Sequence, residues 1–81
     1  MKISVELSLY PLDNNYQDIV WGFIEQIKEH KNLEVITNGM STQVFGDIDE
    51  LMPVITQVTK NLYEQHKAIL VMKIGKGILK L

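Results

Sequence analysis

Leu33-Glu34-Val35-Ile36-Thr37-Asn38-Gly39-Met40-Ser41-Thr42-Gln43-Val44-Phe45-Gly46 is the stretch that decides how this chain folds. It reads as two short strands doubled back at Asn38-Gly39, a dipeptide that tolerates the positive φ angles of a primed two-residue turn. A corner there sets Thr37 opposite Met40, Val35 opposite Thr42 and Leu33 opposite Val44. Ile36, Ser41, Gln43 and Phe45 then leave the other face of the ribbon. The first face is mainly apolar with two hydroxyls near the turn, and that polar end of a hairpin is the place to look for a bound small molecule.

Working backwards from the hairpin, residues 16–31 have helical period: Tyr16, Ile19, Val20, Phe23, Ile24 and Ile27 form one stripe. Asp13-Asn14-Asn15 supplies turn and cap chemistry ahead of it. Earlier still, residues 2–10 alternate strictly, with Ile3, Val5, Leu7 and Leu9 on one face and Ser4, Glu6, Ser8 and Tyr10 on the other. Beyond the hairpin, Ile48, Leu51, Met52, Ile55, Val58 and Leu62 mark a second helix ending near His66. Pro53 lacks an N–H and is harmless only in a first turn, so Asp49 is the expected cap rather than Asp47. The run Ala68–Ile74 is apolar on both faces and reads as a strand covered on both sides. Ile78–Leu81 either pair with a neighbouring chain or fray.

Strand, helix, strand, strand, helix, strand with short connections predicts an α+β, ferredoxin-like βαββαβ fold. The four antiparallel strands take the spatial order 4-1-3-2 with both helices on one face. Eighty-one residues make one domain over 1–81. A single core of that size supplies on the order of 3–5 kcal/mol, so self-association is a natural source of further stability. The helix-free sheet face carries Ser4, Glu6 and Ser8 amid an apolar rim of Leu70 or Val71, Ile36 and Phe45. A partner sheet over it gives a dimer or tetramer.

Composition excludes several functions. The chain has no cysteine, so disulfides and thiolate metal sites are ruled out. All eight basic residues are lysines, scattered along a chain of net charge −2. Nucleic-acid readers and phosphate cradles lean on the guanidinium fork, which argues against a nucleic-acid partner and against acylphosphatase-type catalysis. No apolar run is long enough to span a bilayer, and no secretory segment follows Met1-Lys2; the expectation is a cytoplasmic protein without membrane partners. His30 and His66 sit at helix ends with no second ligand at metal spacing. No catalytic residues and no metal site are expected.

Glu6 and Ser8 leave the same face of the central strand. They are either a solvated face or, under a covering subunit, a buried carboxylate and hydroxyl suited to an amino-bearing ligand. In the 4-1-3-2 order the turn end of the hairpin, Asn38, Met40 and Thr42, lies beside Ser8, Tyr10 and Pro11. Turn chemistry alone accounts for Asn38, whereas it explains Thr42 less well. Trp21, at the edge of the first helix's stripe, reads first as packing.

Glu6-Leu7-Ser8-Leu9-Tyr10-Pro11, followed by Asn38-Gly39-Met40-Ser41-Thr42-Gln43-Val44-Phe45-Gly46 and an Asp-rich helix start, resembles the YkoF-like thiamine-binding proteins over nearly the whole chain. The resemblance implies a subunit that assembles through its sheets into dimers and tetramers. It also implies non-catalytic binding of thiamine or its hydroxymethylpyrimidine moiety in uptake or salvage, with no further cofactor. Glu6, Ser8, Asn38 and Thr42 would meet the aminopyrimidine's polar atoms, and Tyr10 and Met40 its faces. The missing arginine favours unphosphorylated thiamine over its diphosphate. The resemblance implies a more polar, often arginine-containing end after the fourth strand, and this chain departs from it with Lys73-Ile74-Gly75-Lys76-Gly77. The alternative is a ligand-free structural or regulatory oligomerisation module.

Overall fold

The computed structural model describes residues 1–80. Along the chain run β1 (Lys2–Pro11), α1 (Tyr16–Lys28), β2 (Glu34–Thr37), β3 (Thr42–Asp47), α2 (Ile48–Gln65) and β4 (Ala68–Lys76). The strands form one antiparallel sheet in the order β2-β3-β1-β4, the expected ferredoxin-like arrangement read from its other edge. Helix α1 lies over β1 and β2, α2 lies over β3, and the two helices pack on each other. Alternation along β1 sends Ile3, Val5 and Leu7 into the layer between sheet and helices. There they meet Val44 from β3, Phe23 and Ile27 from α1, and Leu51, Ile55 and Val58 from α2. Among the described residues no helix is long and apolar enough to cross a membrane.

Several local expectations are corrected. The hairpin does not turn on two residues: Thr37 faces Thr42, Val35 faces Val44 and Ile36 faces Gln43, which leaves Asn38–Ser41 as a four-residue loop. Asn38 Oδ1 accepts from the N–H groups of Met40 (2.8 Å) and Ser41 (3.0 Å), and the Asn38 N–H donates to the Ser41 carbonyl (3.1 Å). By satisfying two loop donors itself, the asparagine side chain removes the need for a primed turn. No residue of the loop has positive φ. The slip is of two residues, so every side chain keeps its face.

Helix α1 stops at Lys28, where the N–H groups of Glu29 and His30 turn back to the carbonyls of Glu25 and Ile27. Helix α2 is capped by Asp47, not Asp49. The Asp47 carboxylate accepts from the Asp49 N–H at 3.0 Å and from the Met1 ammonium at 3.0 Å, while the Ile48 N–H donates to the Met1 carbonyl at 2.9 Å. These ties outweigh the penalty of Pro53 in the second helical turn. The Met1 ammonium, and then the Asp49 N–H, hold the Asp47 carboxyl below its usual range.

Strand β4 is not covered on both sides. It is an edge strand, and the helices reach Ala68 and Leu70 but leave Met72 and Ile74 exposed. On the opposite face Val71 and Ile69, rather than Leu70, stand beside Ser8 and Tyr10. The residues after β4 do not fray but fold back on the sheet as a C-terminal strap. A turn at Gly77 (φ +82°) lays Ile78–Lys80 back across the helix-free face. Leu81 lies outside the described residues.

A candidate ligand-binding cleft

The site arises from a mismatch in strand length. β1 is ten residues long and β3 only six. β1 pairs with β4 as far as Pro11↔Ala68, but with β3 only as far as Leu7↔Thr42. From Ser8 to Pro11 one edge of the central strand therefore has no strand beside it. The Asn38–Ser41 loop and the first half of α1 wall this notch and enclose a cavity of about 500 Å³. A notch lies open towards both faces of the sheet, which is why Leu7 and Leu9 from one face and Ser8 and Tyr10 from the other line the same space.

Thr37 and Thr42 belong to the sheet rung that borders the notch, their hydroxyl oxygens 3.1 Å apart, and either hydroxyl can donate to the other. Thr42 is buried, at 5% exposure. Val20, Phe23 and Ile24 of α1 form an apolar wall, and Gln17 adds an amide. Tyr10, Tyr16 and Trp21 are each about half exposed around the opening, and Met40 is almost wholly exposed beside them. Among the described residues no Asp, Glu, Lys or His lines the cavity. Hydroxyls and amides in a mainly apolar, aromatic-edged cleft suit a neutral or softly cationic ring compound, and the lining offers nothing to neutralise a phosphate.

Of the six residues singled out from sequence, Ser8, Tyr10, Asn38, Met40 and Thr42 line this cleft and Glu6 does not. Glu6 sits on the helix-free face one rung away. Its Oε2 accepts from the Ser41 hydroxyl at 3.1 Å, and its Oε1 is 3.5 Å from Lys73 Nζ. It steadies the loop that walls the cleft rather than facing into it. The Asn38 side-chain oxygen is likewise taken up by the loop, which leaves its NH₂ group for a ligand. The sequence pointed to Thr37 only as one of two hydroxyls near the turn and assigned no site role to Gln17, Tyr16 or Trp21. For Trp21 there was a signal: a large aromatic at the margin of a helical stripe, here 54% exposed. Thr37 was placed opposite Met40 by the two-residue turn, so its pairing with Thr42 stayed hidden.

A family model described as thiamine-binding protein matches residues 5–77. The chain belongs to the thiamine-binding protein family. That is a family of binding proteins, and the YkoF-like resemblance read from the sequence agrees with it. Solved structures of this fold include a hypothetical protein of Methanocaldococcus jannascii, at 26% identity and TM-score 0.81, covering 99% of this chain and 84% of that one. A Thermotoga maritima protein described as a candidate for thiamine biosynthesis or salvage gives 18% identity and TM-score 0.83, with 95% and 85% covered. A Bacillus cereus domain of unknown function gives 17% and 0.76, with 95% and 77% covered. No curated protein matches.

Proposed function

We propose that this protein binds thiamine or its hydroxymethylpyrimidine moiety, without catalysis, in thiamine uptake or salvage in the cytoplasm, and that the notch beside β1 is the site. The observation that carries the reading is the uncharged, aromatic-edged cleft over a pair of threonine hydroxyls, in a member of a thiamine-binding family. An aminopyrimidine edge presents an amine donor beside a ring acceptor. The Thr37–Thr42 pair and the Ser8 hydroxyl offer both complements. The faces of Trp21, Tyr10 and Tyr16 suit the flat rings and the positive charge of a thiazolium. The lack of any cation in the lining favours unphosphorylated thiamine over its diphosphate.

Self-association through the helix-free sheet faces, as a dimer or tetramer, belongs to the same reading; its support is the exposed apolar side chains on that face. They equally favour the second reading, a ligand-free oligomerisation module. Calorimetric titration separates the two. The thiamine reading expects micromolar or tighter binding of thiamine, with thiamine diphosphate at least tenfold weaker. Absence of heat and of any thermal shift with thiamine, its pyrimidine and its thiazole would remove it and leave the module.

A further inference from the structure

The hydrogen bonds at the two ends of β1 fix which way each peptide group along it points. In an antiparallel pair, residues that exchange both N–H···O bonds alternate with residues that exchange none. Against β4, the Gly77 N–H donates to the Lys2 carbonyl and the Leu12 N–H to the Lys67 carbonyl, each at 2.9 Å. Between them the register runs without a bulge from Ile3↔Lys76 to Pro11↔Ala68, so the even-numbered residues of β1 turn their main-chain polar groups to β4. Against β3, the Ile48 N–H donates to the Met1 carbonyl at 2.9 Å, and the register runs from Lys2↔Asp47 to Leu7↔Thr42. The odd-numbered residues therefore face β3. Leu7 is the last of them with a strand beside it; Leu9 and Pro11 turn the same way, into the notch.

Continued by one more hydrogen-bonded pair, the β1–β3 register would set Met40 opposite Leu9. Met40 has instead left the sheet with the loop, where its N–H donates to Asn38 Oδ1 at 2.8 Å. Among the described residues no group hydrogen-bonds the Leu9 N–H or the Leu9 carbonyl. Pro11 adds a second carbonyl on the same edge and, as proline, no donor. One main-chain donor beside two acceptors thus stands on a rigid strand in a mainly apolar cleft, where such groups are almost always paired. We infer that the Leu9 peptide edge is itself a ligand contact: a flat ring takes the place of the missing β3 residue, with a ring acceptor on the Leu9 N–H and an adjacent amine on the Leu9 carbonyl. This rests on the thiamine reading and deepens it, by naming the main-chain groups that select the amidine edge of an aminopyrimidine. The Thr37–Thr42 hydroxyls on the helix side of the sheet, and the Ser8 hydroxyl on its other side, then meet the polar atoms of the ring that the strand edge leaves over. Two carbonyls against one N–H also disfavour a carboxylate or phosphate at this position.

Amide hydrogen exchange on the full ¹⁵N-labelled chain, free and with saturating thiamine, tests this without any substitution. In the free protein the Leu9 amide should exchange at least tenfold faster than those of Ser8 and Tyr10, which are bonded to β4. Thiamine should slow Leu9 at least tenfold, and by a larger factor than it slows its two neighbours. A pair of variants isolates the N–H. Leu9→Pro removes it while keeping the bonds to β4, as Pro11 does two residues on, whereas Leu9→Ala trims the side chain and keeps the N–H. By calorimetry, with circular dichroism as the check on folding, Leu9→Pro should bind thiamine at least tenfold more weakly than Leu9→Ala. Should Leu9→Pro not fold, exchange in the wild type decides alone. Saturable thiamine binding that leaves Leu9 exchange unchanged, or that is equal in the two folded variants, would overturn the role of the peptide edge and leave the thiamine reading standing. A wild type that does not bind thiamine at all would end both.

Discussion

Ser4 and Ser8 lie four residues apart on one face of the same strand, and the fold uses them in opposite ways. At Ser4 the central strand is flanked on both sides, by Phe45 of β3 and Gly75 of β4, and roofed by the strap, so its hydroxyl both donates and accepts within the chain. At Ser8 the strand has lost its neighbour on the β3 side and borders the cleft. Among the described residues its hydroxyl has no hydrogen-bond partner. One end of β1 is thus closed by the chain itself, and the other is left for something else to complete. Changes at the closed end should register in stability, and changes at the open end in ligand affinity.

The largest effect expected is on Phe45. Phe45→Ala removes a ring buried beneath the strap and should cost roughly 3–5 kcal/mol in denaturant unfolding, whereas Met40→Ala at the rim of the cleft should stay within about 0.5 kcal/mol. Equal and small costs would mean that the C-terminal strap does not shield Phe45. The two serines give the next test. Ser4→Ala leaves the Leu79 N–H and the Gly77 carbonyl without their partner and should destabilise by about 1–3 kcal/mol. Ser8→Ala should barely move the unfolding midpoint but weaken thiamine binding about tenfold, the loss of one hydrogen bond. A reversal of these two phenotypes would contradict the division of the strand.

The threonine pair sharpens the open end. Thr37→Val and Thr42→Val should each reduce thiamine affinity about tenfold, and the double variant should lose less than the product of the two, because the hydroxyls act together. Strictly multiplicative losses would show them to be independent contacts. The smallest effects concern pH. The folded pKa of Asp47 is depressed by the Met1 ammonium and the Asp49 N–H, so its stabilising contribution is complete above the ordinary carboxylate range. It is lost as pH falls below roughly 4 and through the lower folded value. Asp47→Asn should flatten that part of an acid-unfolding profile. Among the described residues no histidine, carboxylate or lysine lines the cleft, so thiamine affinity should change by less than about twofold between pH 6 and pH 8.

The layout of the sheet was legible because it depends on period. The alternation of Ile3, Val5 and Leu7 and the stripe through Ile19, Phe23 and Ile27 fix faces, and a face survives a two-residue slip in the hairpin. The register itself was not legible. It turned on whether the Asn38 side chain would hold the loop's N–H groups, and a sequence cannot announce that choice. The same limit explains Glu6. Its spacing from Ser8 placed both on one face, but only the early end of β3 puts Ser8 beside the notch and leaves Glu6 bonded to Ser41. Gly77-Ile78-Leu79-Lys80 is too short to show any period, and its docking depends on a serine more than seventy positions away.

Chemical-shift mapping of a thiamine titration on ¹⁵N-labelled protein tests the central claim most directly, since it reads both ends of β1 in one experiment. Saturable shifts should appear at the amides of Ser8, Leu9, Tyr10 and Asn38–Thr42 and at the Trp21 indole, while Ser4, Phe45 and Leu79 stay still. Shifts gathered around Ser4 and Leu79, or none anywhere at millimolar thiamine, would contradict it.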